Sequence, residues 1–185
     1  MQEQLAAIAE RFERVQGRLH DLVADTPIER WGVRADPARW SVAECVAHLN
    51  LTAQAYLPML RDAFSDAQFA KVPAPRRYRR DLIGWLLSAS MAPKRWVGVL
   101  GKSKTIPVFV PGGDLQQSTT VAEFDRLHVQ LIQLTLSAEG LPLQAMRIVS
   151  PFNARLSYNA YSCLMILPRH DERHLWQAEH VWDKH

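Results

Sequence analysis

The chain has 185 residues, of which 48% are apolar and 22% charged, with a formal net charge of +3. This is the balance of an ordinary soluble globular protein, long enough to bury a substantial core. So mild a charge does not by itself point to nucleic acid, and no apolar run approaches the ~20 residues that cross a bilayer, so neither nucleic acid nor membrane is expected as a partner.

The first ten residues lack a basic start followed by an apolar stretch, so no signal peptide is expected. Cys45 and Cys163 are the two cysteines, both in apolar surroundings; a disulfide framework is not expected, and a reducing cytoplasm fits.

Four segments have helical periodicity. Leu5, Ile8, Phe12, Val15, Leu19 and Val23 recur at three- and four-residue steps and predict a first helix over about residues 2 to 24. A second opens at Ser41, with Glu44 three residues on as a capping box, and carries Val42, Cys45, Val46, Leu49, Ala53, Tyr56, Leu57 and Leu60. The third follows Ser118-Thr119-Thr120, bears Val121, Phe124, Leu127, Leu131, Leu134 and Ala138, and ends at Gly140. The fourth runs from roughly Leu156 to Trp182, after the turn-like Ser150-Pro-Phe-Asn153.

Strand signals are few; Thr105-Ile-Pro-Val-Phe-Val110 is a short extended candidate that Pro107 demotes. The pattern predicts an all-α protein, a four-helix bundle forming one domain over residues 1–185. The link between the second and third helices, about residues 63 to 117, is too long to lack regular structure. Its apolar piece Leu82-Ile-Gly-Trp-Leu-Leu87 predicts an added helix, with a lid-like loop beside it. Trp85 and Trp96, with Met91 between them, either flank a pocket mouth or cover the bundle's end, and an exposed apolar face there is a candidate for pairing two subunits.

His170 and His174 carry the chemical interest. Residues four apart stack on one helix face, so both imidazoles can aim at one point, and here they fall on the inward stripe with Ala160, Cys163, Ile166, Leu167 and Val181. Buried imidazoles need partners: a shared metal, or a backbone carbonyl or Glu for each. His48 is the natural third ligand. It lies roughly 120° from the centre of its helix's apolar stripe, a position that taken alone reads more often as a partly exposed surface histidine, though a bundle can turn that flank toward the last helix.

Glu44, one turn earlier on the same face, is either a capping-box residue, an acceptor that orients the His48 imidazole, or a base. His128, beside Phe124, Leu131 and Thr135, is a competing ligand or base candidate, or a satisfied core histidine. His20, His180 and His185 look peripheral. Pro168 removes a backbone hydrogen bond to Leu164 and should kink the last helix or end its regular part.

Trp40-Ser-Val-Ala-Glu-Cys-Val-Ala-His-Leu49, the Ser150-Pro-Phe-Asn-Ala turn and His170-Asp-Glu-Arg-His-Leu-Trp-Gln177 resemble the signatures of the DinB-like superfamily, in order and separation. Lys104-Thr-Ile-Pro-Val-Phe-Val-Pro111 is similar to the loop before the third helix in some members. The resemblance implies a four-helix bundle with an extra helix in the long second connection. It also implies a divalent metal, often zinc or nickel, on His48, His170 and His174. Relatives include transferases and isomerases that use bacillithiol, mycothiol or glutathione, and uncharacterised members described as metal-dependent hydrolases. Pro168 departs from the usual pattern.

The function expected is activation of a low-molecular-weight thiol, or of a water, on that metal, with a small-molecule substrate. A non-catalytic binding or stress-response bundle braced by the metal is the alternative. The run Arg76-Arg77-Tyr78-Arg79-Arg80 is either a site for the carboxylates of a thiol cofactor or a solvated loop.

Overall fold

The computed structural model describes residues 2–69, 73, 75–91 and 105–183. In chain order the elements are α1 (Gln2–Asp25), the single-turn α2 (Ile28–Trp31), α3 (Val42–Phe69), α4 (Leu82–Ser90), a 3-10 turn at Pro107–Phe109, α5 (Gln117–Ser137), β1 (Arg147–Ser150), β2 (Asn153–Asn159) and α6 (Ala160–Glu179). The four long helices form the expected bundle.

Cross-helix bonds fix their directions. From α1 to α6, Gln4 bonds Tyr161, Arg11 bonds Glu172 and Arg18 bonds Glu179, so the two run parallel. From α3 to α5, Asn50 bonds the Thr120 carbonyl, Gln54 bonds Glu123 and Arg61 bonds Gln130, again a parallel pair. Each of α1 and α3 packs on both α5 and α6, which puts α1 diagonal to α3 and α5 diagonal to α6.

Because α3 and α5 point the same way, the chain must travel back along the 28-residue α3, about 42 Å at 1.5 Å per residue. The long connection is therefore a geometric necessity of the topology. Within it α4 starts at the apolar piece identified in the sequence. Its N-cap Asp81 accepts from the Gly84 amide, and the helix lies against α6 and β2.

Gly84 is required at this contact. A Cβ there would stand 2.2 Å from both Cβ and Oγ of the fully buried Ser162, whose hydroxyl donates to Asp81 Oδ1 at 2.9 Å. Gly84→Ala is expected to destabilise the fold by about 1–3 kcal/mol through overpacking. Gly17→Ala in the interior of α1, where nothing lies within 4 Å of the new Cβ, should stabilise it by roughly 0.5–1 kcal/mol. Urea denaturation of the two variants should give midpoints displaced in opposite directions.

One sequence expectation is corrected and two that were left open are narrowed. The last helix begins at Ala160, not near Leu156: residues 153–159 form β2, which pairs antiparallel with β1 through Arg147↔Asn159, Ile148↔Tyr158 and Val149↔Ser157. Asn159 then caps α6 by accepting from the Ser162 amide at 2.7 Å. Helical periodicity extends through the cap, and the pairing partner of a short strand leaves no local signal. Pro168 does not end the helix, because α6 continues through it to Glu179. The piece 105–110 is not a strand but a 3-10 turn with Pro107 in its first position, where the missing N–H costs nothing.

Trp85 is half exposed on α4, beside exposed Leu82 and Leu86; Trp96 and part of the expected lid lie outside the described residues. Among the described residues, no helix is long and apolar enough to cross a membrane.

Candidate metal centre

The core is divided. One apolar cluster joins Leu5, Ile8 and Phe12 to Ala53–Phe64, Leu127–Ala138 and Ala160–Leu167 positions; the other joins Val15 and Leu19 to Val42–Leu49, Phe124 and Leu175. At the seam between them lie the buried polar side chains of His48, Thr52, His128, His170 and Asp171. A polar layer inside a bundle is costly unless every member finds a partner, so the partners are informative.

His48 is 2% exposed. α3 turns the flank carrying it toward α6, which settles the choice its position on the helix left open: it is not a surface histidine. Its Nδ1 lies 2.8 Å from the Phe109 carbonyl oxygen. A carbonyl can only accept, so Nδ1 carries the hydrogen and Nε2 presents a bare lone pair. That Nε2 is 3.3 Å from Nε2 of His170, and the His174 ring centroid is 4.5 Å from those of both His48 and His170. One ring nitrogen from each of the three histidines falls within 4.8 Å of the others.

Two tests bear on whether these residues fit a metal ion. Nitrogens bound at 2.0–2.1 Å to one tetrahedral ion stand about 3.3–3.4 Å apart, the spacing of the His48–His170 pair. In addition, the buried Nδ1 atom of His174 has no hydrogen-bond partner among the described residues, so protein groups alone leave the layer incompletely satisfied. The donor set is three imidazoles, and the converging group holds no carboxylate or thiolate. The group can hold a divalent ion.

Electrostatics favour neutral ligands. Burial, and next the nearby His170, pull the His48 imidazole down to about 4, against opposing help from the Phe109 carbonyl and Asp171. Burial also holds His174 well below the ordinary histidine value, with repulsion from His170, His48 and Arg173 adding to it. Aromatic rings wall the cluster: Trp40 packs 5.0 Å from His48 and 6.0 Å from His174, and Phe152, stacked on Phe109 at 4.1 Å, lies 5.7 Å from His170. The Trp-Ser and Pro-Phe motifs thus furnish walls as well as a cap and a turn.

The other candidates are engaged elsewhere. Glu44 closes the capping box, its carboxylate accepting from the Ser41 amide at 2.9 Å while its own amide donates to Ser41 Oγ. It also pairs with Arg34, which holds it below the usual carboxylate range despite partial burial. His128 sits with Nδ1 3.0 Å from the Phe124 carbonyl and Nε2 3.2 Å from Asp171 Oδ2. Neither belongs to the converging group.

Cys45 and Cys163 are free and buried, and burial pushes the Cys45 thiol up to about 12 and the Cys163 thiol higher still, the opposite of an activated nucleophile. Among the arginines of the 76–80 run, Arg76, Arg77 and Arg79 are exposed and Arg80 reaches Ser88. Asp171 is the site residue that sequence reasoning missed, although it adjoins His170.

A cavity of about 850 Å³ lies between α2, the start of α3 and residues 111–118, lined by Trp31, Arg34, Glu44 and Gln117 among others. None of the three histidines lines it.

The chain is thus a four-helix bundle in whose interior histidines from two packed helices, α3 and α6, converge into a group that could hold a metal ion. The family model described as the DinB superfamily matches residues 11–178, and the chain belongs to that superfamily. No curated protein and no solved structure matches the chain.

Proposed function

We propose that this protein is a metal-dependent enzyme whose centre is held by His48, His170 and His174. Its substrate would be a small electrophile attacked by a low-molecular-weight thiol, or a small molecule attacked by water. The observation that carries the reading is the composition of the converging group, three imidazoles with no carboxylate among them in the described residues. Such a set leaves coordination positions open, as catalytic sites require and closed structural sites do not.

When bound, a divalent ion of this kind lowers the pKa of a water to roughly 7 or holds a thiol as its thiolate. The chain's own residues supply the rest. His48, oriented by the Phe109 carbonyl, offers Nε2 without first releasing a proton. Trp40, Phe109 and Phe152 pack around the buried His48 ring. Zinc and nickel are among the ions that imidazole donors suit, and they are the ones the superfamily resemblance implies.

The test is consumption of free thiol. Protein purified without a metal-affinity tag and loaded with zinc or nickel is incubated with bacillithiol, mycothiol or glutathione and a simple electrophile. Enzymatic thiol loss that a chelator abolishes supports the transferase reading; hydrolysis of an activated ester or amide without thiol supports the water branch. Stoichiometrically loaded protein inactive in both assays sinks the catalytic reading. It would then leave a bundle braced by its ion, a role with which the deep burial of His48 and His170 is compatible.

A further inference from the structure

His128 and Asp171 form a bridge between α5 and α6, the diagonal pair of the bundle, and the bridge ends at the three-histidine cluster. Asp171 is 3% exposed and His128 1%. Oδ2 of Asp171 faces His128 Nε2 at 3.2 Å, while its other oxygen, Oδ1, stands 3.8 Å from His170 Nδ1. That Nδ1 is one of the buried ring nitrogens with no hydrogen-bond partner among the described residues.

His128 cannot easily swing away. Its ring stacks on Phe124 at 3.7 Å, meets Phe12 edge-on at 5.7 Å, and has its second nitrogen against the Phe124 carbonyl. A buried carboxylate aimed between two imidazoles, one of them firmly fixed, is more than a lone ion pair needs.

We propose that Asp171 is a positioning residue for His170, with His128 as its anchor. Asp171 Oδ1 takes the hydrogen of His170 Nδ1, which fixes the tautomer and leaves His170 Nε2 bare and pointed at His48 Nε2. The same arrangement already exists on the other side of the pair, where the Phe109 carbonyl takes the Nδ1 hydrogen of His48 and leaves its Nε2 free. Two ligands on different helices are thus oriented by the same device, an oxygen acceptor on Nδ1. At 3.8 Å the Asp171–His170 contact is longer than a hydrogen bond, and on this proposal it must close when the ring is engaged. Oxygen acceptors behind metal-bound histidines fix ring orientation and raise ligand basicity, and losing one costs 10–100-fold in metal affinity.

The inference rests on the three-histidine reading, and the experiment separates the two. Apo-protein is titrated with cobalt(II) alone, following the visible absorption bands, for the parent, Asp171→Asn and His128→Gln. The expected result is stoichiometric binding by the parent and 10–100-fold weaker binding with altered bands for Asp171→Asn. His128→Gln should show a smaller loss in the same direction. Parental affinity and bands in both folded variants, with only their thermal midpoints lowered, would make the pair merely structural and overturn the proposal. A parent that binds no cobalt overturns the three-histidine centre itself, and this proposal with it.

Since removing a buried charge can prevent folding, a second measurement needs no variant. Nitrogen-15 NMR of the parent should report His170 protonated at Nδ1, and finding its hydrogen on Nε2 in the metal-free protein and Nδ1 as the bound nitrogen in the loaded one would refute it.

Discussion

Replacing His48 with alanine is expected to strip the protein of its metal. Parent protein, purified without a metal-affinity tag and dialysed against zinc or nickel, should retain close to one ion per chain by elemental analysis; the variant should retain essentially none. The reasoning is geometric. His170 and His174 come from one helix, and without His48 only these two imidazoles remain of the converging group. Losing a direct ligand should cost more than the 10–100-fold that an outer-sphere loss costs. His48→Ala also leaves the Phe109 carbonyl without its donor, a penalty of roughly 1–3 kcal/mol for a buried acceptor. His48→Asn is the cleaner probe, since its amide can still donate to that carbonyl while lacking Nε2. Equal metal content in parent and His48→Asn would remove His48 from the centre.

Much of this geometry could be read from residue order. The stripes of α1, α3 and α5 lie where the three- and four-residue steps put them, because each of those helices buries one face and periodicity records burial. Ser41 and Glu44 announced the start of α3 because a capping box is local, its partners three residues apart. The pair His170 and His174 was visible for the same reason.

What remained hidden depends on contacts distant in sequence. The β1–β2 hairpin is set by cross-strand partners, and the Val149/Ser150 irregularity shows how loosely local pattern constrains it. The burial of His48 followed from which flank of α3 meets α6, and a residue about 120° off a helix's apolar stripe does not reveal that. Asp171 was passed over because an acid beside a histidine on a helix points about 100° away from it. Its meaning appears only when His128, 43 residues earlier in the chain, arrives from the diagonal helix.

Acid should weaken the metal-free protein within a defined window, and His48 should account for much of it. In the unfolded chain its imidazole titrates near the ordinary 6.5, and in the folded protein near 4. Between those values the unfolded state holds a proton that the folded state does not, so stability falls as pH is lowered from about 6.5 and stops falling, for this group, below about 4. The difference of 2.5 between the two values corresponds to roughly 3 kcal/mol at 1.36 kcal/mol per pKa unit. His174 is displaced in the same direction and adds to the loss.

The window is separable from general acid denaturation, because the carboxylates held low, Glu44, Asp81, Glu123 and Asp171, contribute only as pH drops through and below their ordinary range near 4. Chelator-treated parent and His48→Asn, unfolded in urea at several pH values from 7 to 4.5, should converge as pH falls, the parent losing stability faster. Parallel curves for the two proteins would mean that the His48 ring is not held neutral by its surroundings. A bound ion should move the parent's loss to lower pH, since it stabilises only the folded state and competes with protons for the same lone pairs.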